Sequence, residues 1–111
     1  GTLDQTFRSM LPNLGIPAGV VCTFEDSGSN RVLIGFDGDS NLTAARPAPF
    51  PRDELLPAGL LGEHRRTLLV ESLYLDGRAL GYAVFEMGPP EPEVYELLRD
   101  YLTGALHGLL R

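Results

Sequence analysis

Asp76-Gly77 separates two apolar runs, Thr67 to Leu75 and Arg78 to Glu86. No other feature constrains the fold of this chain as strongly. Asp-Gly supplies the positive φ angles of a type I′ turn, whose twist matches that of two flanking antiparallel strands. A two-residue turn also dictates register. It pairs Leu75 with Arg78, Tyr74 with Ala79, Leu73 with Leu80, Ser72 with Gly81, Glu71 with Tyr82 and Val70 with Ala83. Side chains alternate along a strand, so this pairing sorts them by face. One face takes Val70, Ser72, Ala79, Gly81 and Ala83, with Leu68 and Phe85 at one end and Tyr74 near the turn. Its middle is small, which lets a helix approach. The other takes Leu69, Glu71, Leu73, Leu80, Tyr82 and Val84. Both faces are mostly apolar, so both are expected to be covered.

The rest of the chain supplies the cover. Leu3, Phe7, Met10, Leu11 and Leu14 recur at helical spacing, and Asn13, Gly15 and Pro17 end that helix. Residues 18–25 are β-branched and aromatic and read as a strand. Asp26 to Asn30 is a turn by composition, and Arg31 to Phe36 is a second strand completing a hairpin. Residues 37–66 form a long crossover. Within it, Leu42 to Arg46 reads as a short edge strand and Asp53 to Leu56 as one helical turn. Pro47, Pro49 and Pro51 exclude a central strand there. Gly88-Pro89-Pro90 breaks the last strand. Pro92, with Glu91 and Glu93 at the positive end of the helix dipole, starts a helix whose stripe is Val94, Leu97, Leu98, Tyr101, Leu102, Ala105 and Leu109. The expected fold is α+β: one domain over residues 1–111, a central antiparallel sheet with the N- and C-terminal helices on one face.

Composition excludes several functions. The 111 residues carry a net charge of -6 and no lysine, which argues against nucleic acid. No apolar run approaches the ~20 residues needed to span a membrane. Arg65-Arg66 is the one basic pair and reads as solvated. Cys22, the single cysteine, lies in an apolar strand, fits a reducing cytoplasm and reads as a buried structural thiol. His64 and His107 share no ligand spacing, so no metal site is expected. No GxSxG elbow and no phosphate loop is present, so no catalytic residue is assigned and the chain is not expected to be an enzyme. Glu71, placed opposite Tyr82 on an apolar face, stands out. A buried carboxylate must be paired or protonated. It is either a satisfied structural pair, or at an exposed edge, or the polar anchor of a ligand pocket. In the pocket reading the binding residues are Glu71, Tyr82, Leu69, Leu73 and Val84.

The order helix, hairpin, long crossover, hairpin, helix is similar to a GAF domain. Phe50-Pro51, Leu55-Leu56-Pro57, Val70-Glu71, Leu73-Tyr74, the run Leu80 to Pro89 and Tyr95 to Arg99 resemble a short GAF-like domain of bacterial signalling and transcription-regulatory proteins. The resemblance implies a PAS/GAF-type sheet with a pocket roofed by the crossover. It also implies a regulatory, cytoplasmic role for a domain cut from a larger multidomain protein, covalently attached to an effector domain and signalling through its terminal helices. The chain lacks the asparagine/lysine signature of cyclic-nucleotide members, so the resemblance names no ligand and no cofactor. The alternative is a ligand-free dimerisation or protein-interaction module. A homodimer is expected through the terminal helices, with Leu3, Phe7, Met10, Val94, Leu98, Tyr101, Leu102 and Ala105 at the interface.

Overall fold

The computed structural model describes residues 2–43, 48–62 and 64–110. It is α+β: an open antiparallel sheet with one helix before it and one after. The elements are α1 (Thr2–Asn13), β1 (Ala18–Phe24), β2 (Ser29–Asp37), β3 (Ser40–Asn41), β4 (Phe50–Pro51), β5 (Leu68–Leu75), β6 (Arg78–Glu86) and α2 (Pro92–Leu110). The strand order is β3-β2-β1-β6-β5, with β4 also paired to β2. β1 and β6 are therefore central, which explains their unbroken apolar character, and β5 is an edge.

Both helices pack on the same face. Phe7 and Leu11 of α1 and Tyr95, Leu98, Leu102 and Leu106 of α2 share one buried cluster with Val21, Ile34, Phe36, Leu73, Ala83 and Phe85. Gly19 permits the approach of α1: a Cβ there would lie 2.8 Å from Leu11 and 2.9 Å from Phe7. The other face holds Ala18, Val20, Cys22, Val32, Tyr82 and Val84 under Phe50 and Leu61 of the crossover.

The Asp76-Gly77 turn forms as expected, with φ of 51° and 76°. The register does not follow from it along the whole hairpin. Leu75 pairs with Arg78 and Tyr74 with Ala79, but then Leu73 pairs with Gly81, Ser72 with Tyr82 and Glu71 with Ala83. Leu80 is the extra residue of a β-bulge. One inserted residue moves every later side chain to the opposite face. The faces read from an unbroken ladder are accordingly re-sorted. Leu69, Glu71, Leu73, Ala83 and Phe85 meet the helices, whereas Val70, Ser72, Tyr82 and Val84 meet the crossover side. Gly81 makes the bulge possible, because a Cβ there would overlap the carbonyl oxygen of Cys22 on β1. A second irregularity in β2 pairs Val21 with Ile34 and Cys22 with Val32, leaving Leu33 as the extra residue.

The crossover differs in detail from expectation. Asp53 to Leu56 forms turns and bends, not a helical turn. Phe50–Pro51 pairs with Asn30 and Ser29, so the proline lies at the sheet margin where its missing N–H costs nothing. The short strand before it is Ser40–Asn41; the expected one at Leu42 to Arg46 falls partly outside the described residues. Arg66 is not solvated. Its side chain is 6% exposed and forks onto Asp37 at 3.1 and 2.7 Å, reaching Glu86 at 2.6 Å. These contacts, led by the Asp37 hydrogen bonds, raise its already high pKa further. This clamp joins the ends of β2 and β6 across the intervening β1.

Candidate functional site

Several open grooves lie on the surface of the described residues, and two of them bear on the residues singled out from sequence. The larger, about 680 Å³, lies between the start of α1 and the end of α2 over the β2 bulge, and is mostly apolar: Leu3, Leu33, Tyr101, Ala105 and Leu109 border it. The smaller, about 380 Å³, lies on the opposite face between residues 52–55 of the crossover and the β5–β6 hairpin. Phe24, Tyr74 and Tyr82 give it aromatic walls, and Val70, Ser72 and Ala79 its floor. It collects the convergent polar groups that orient a small molecule in an otherwise apolar cleft.

Behind the groove wall, and outside its lining, lies Asn30 on β2, which is 1% exposed. Its Nδ2 lies 3.2 Å from the carbonyl oxygen of Glu54 and 3.4 Å from those of Pro51 and Arg52. It also donates to the Tyr82 hydroxyl at 3.2 Å. Tyr82 in turn donates to the Leu55 carbonyl at 2.5 Å. Asn30, with two Nδ2 hydrogens shared among these oxygens, and Tyr82 thus hold residues 51–55 of the groove wall to the sheet. The wall is stapled a second time by Arg52. Its guanidinium lies 4.5 Å from the centre of the Phe24 ring and donates to the carbonyls of Glu25 and Ser29 at 2.8 and 3.1 Å. Asn30 Oδ1 is buried with no partner, an uncompensated acceptor within this network.

Burial sets the protonation of this network. The Cys22 thiol, cross-strand from Tyr82, is pushed up to about 11, chiefly by desolvation. Burial, followed by the neighbouring Cys22, raises the Tyr82 phenol as well. Both groups stay neutral at physiological pH, so Tyr82 remains a hydrogen-bond donor to the wall. Among the described residues, no three or more His, Cys, Asp or Glu side chains converge on a metal-sized site.

The pocket residues expected from sequence are divided between the two faces. Tyr82 lines the groove, and Val84 lies in the core beneath the crossover. Leu73 is buried and Leu69 partly buried against the helices. Glu71 also faces the helices, its carboxylate 3.7 Å from Arg99 of α2. Glu71 and Tyr82 therefore do not meet, because the Leu80 bulge turns them apart. The expected interface residues are divided too. Phe7, Leu98 and Leu102 are spent inside the core, while Leu3, Met10 and Val94 pack partly against it. Tyr101, 42% exposed, and Ala105 border the larger groove.

Asn30, Phe24, Arg52 and Tyr74 are absent from the sequence-based set. Asn30 sits in Asp26-Ser27-Gly28-Ser29-Asn30, where composition reads as turn throughout; a buried strand asparagine carries no separate signal there. Comparison with protein-family models, curated proteins and solved structures finds no match for this chain.

Proposed function

We propose that the chain is a regulatory, GAF-like sensory domain of a cytoplasmic bacterial signalling protein. In this reading the groove under residues 52–55 receives a small organic molecule, and the terminal helices pass the result to an attached effector domain. The observation that carries the reading is the Asn30–Tyr82 network. A groove wall held to the sheet by side-chain hydrogen bonds can be shifted by a molecule that competes for the same carbonyls. The Arg66 clamp ties the ends of β2 and β6 together, so in this reading the wall and not the sheet responds. The domain has no catalytic role in this proposal.

The test is thermal-shift screening with cyclic nucleotides and small polar-headed metabolites, followed by amide chemical-shift mapping of any stabiliser. A molecule that binds only the folded state stabilises it by mass action, by ~2.7 kcal/mol at one hundred times its Kd. Shifts centred on Leu55, Ser72 and Tyr74, weakened by Tyr82→Phe, support the groove. Stabilisers whose shifts centre on Leu33, Tyr101 and Ala105 would move the site to the inter-helix groove and sink this assignment.

A second reading, a ligand-free protein-interaction module, is favoured by the apolar side chains that α2 leaves exposed. Leu97 is 70% exposed, Tyr101 42% and Leu109 57%. A protein partner or attached domain seated on that helix would cover them.

A further inference from the structure

Among the described residues, β5 is an unguarded edge of the sheet. Natural edge strands are commonly blunted by lysine, proline, a bulge on the edge strand or extreme shortness. β5 runs for 8 residues, Leu-Leu-Val-Glu-Ser-Leu-Tyr-Leu, without proline or basic residue. Its one charge, Glu71, is turned to the helix side and engaged with Arg99. The bulge of the hairpin lies on β6, away from the edge. On the groove side β5 leaves an alternating row open: Leu68 is 37% exposed, Val70 47% and Tyr74 58%, with Ser72 exposed between them. The opposite margin of the sheet is different in kind, carrying only the two-residue strands β3 and β4 among the described residues.

We propose that two copies of this chain pair β5 against β5 about a two-fold axis, joining their sheets into one, with Ser72 opposite its own copy. The register follows from charge and length. Setting Glu71 against Glu71 of the second copy would place like charges directly opposite, which is destabilising. A one-residue slip would bring the helix face of one copy to the groove face of the other. The Ser72-centred register gives the longest overlap free of both faults. It places Tyr74 against Val70 of the second copy twice over, an aromatic–β-branched pair of the favourable kind, and Glu71 against Leu73.

In this register the seven residues 69–75 of β5 pair over about 24 Å at ~3.4 Å each, and the main-chain hydrogen bonds along that length supply the affinity, as in other cases of strand addition. The pairing does not depend on the groove binding anything. It does have a consequence for the groove: Val70, Ser72 and Tyr74 of β5 line it, so the second copy's β5 would extend the same surface beyond the sheet edge. The outer side of α2 stays free for an effector domain.

Sedimentation velocity at micromolar concentration, with variants on β5 and α2 and a cross-linking pair, tests the pairing. The expected result is a dimer that falls to a monomer in Val70→Lys and in Tyr74→Lys, each with far-UV circular dichroism and melting cooperativity retained. Both side chains are exposed, so neither change opens the core. Ser72→Cys, on mild oxidation, is expected to give a disulfide-linked dimer in high yield, and His107→Cys on α2 is not; Cys22 is buried and does not compete. A wild-type monomer overturns the proposal. So does a dimer that ignores both lysines, one that dissociates on Leu97→Glu instead, or cross-linking at residue 107 but not 72.

Discussion

Asn30→Asp is the most informative single change in this protein. It is nearly isosteric, yet it replaces the Nδ2 donor by an oxygen that faces three carbonyls and a phenol oxygen. Two losses follow. An amide NH2 has two hydrogens, so at most two good hydrogen bonds vanish, at ~1 kcal/mol each. The new carboxyl is also buried among acceptors, with the guanidinium of Arg52 already committed to the carbonyls of Glu25 and Ser29, and must ionise or stay protonated. A shift of ~3 pKa units, at the lower end for a fully buried acid, corresponds to ~4 kcal/mol at neutral pH. The expected penalty is therefore about 5–6 kcal/mol at pH 7, one to two hydrogen bonds plus the ionisation cost, comparable to the whole stability of many domains. The sign with pH is fixed. The folded-state pKa of the new acid is raised above its unfolded value of ~3.9, so its contribution is intact below that value. It is lost as pH rises towards the folded pKa. Near pH 3 the protonated acid can still donate one hydrogen bond, and the penalty should shrink to ~1–2 kcal/mol. Asn30→Ala is the control, costing ~2–3 kcal/mol at both pH values. The assay is urea denaturation followed by far-UV circular dichroism, since the chain has no tryptophan. Equal penalties for Asp and Ala, unchanged between pH 3 and pH 7, would show that Nδ2 is not the hub of the groove wall.

Other expectations follow from the same geometry. Gly77→Val should cost roughly 1–3 kcal/mol, because a β-branched residue is strained at the φ of 76° found there; an unchanged urea midpoint would contradict the turn. Gly81→Ala should destabilise more severely than Gly77→Val, since its Cβ would overlap backbone of β1. Gly104→Ala meets nothing within 4 Å and should stabilise by ~0.5–1 kcal/mol, so paired melts separate packing from helix propensity. Cys22, buried with its thiol pushed up to about 11, should react with a maleimide at pH 8 only through opening of the sheet. Labelling as fast as a free thiol would refute that burial.

The local code alone determined the two helices and the four long strands of this fold. Helical spacing marked α1 and α2, Asp76-Gly77 set its turn, and Gly88-Pro89-Pro90 ended β6, because each signal resides in a few neighbouring residues. The α+β class with terminal helices followed from their order. Register beyond the turn was decided by tertiary structure. The Leu80 bulge depends on Gly81 passing under the Cys22 carbonyl of β1, a contact between residues far apart in sequence. That one inserted residue divided the expected pocket, sending Glu71 to Arg99 and leaving Tyr82 with Asn30 and Leu55. Asn30 and Arg66 show the same limit from the polar side. In sequence each lies among turn-like or charged neighbours; only the folded chain brings to them the carbonyls and carboxylates that make their burial tolerable.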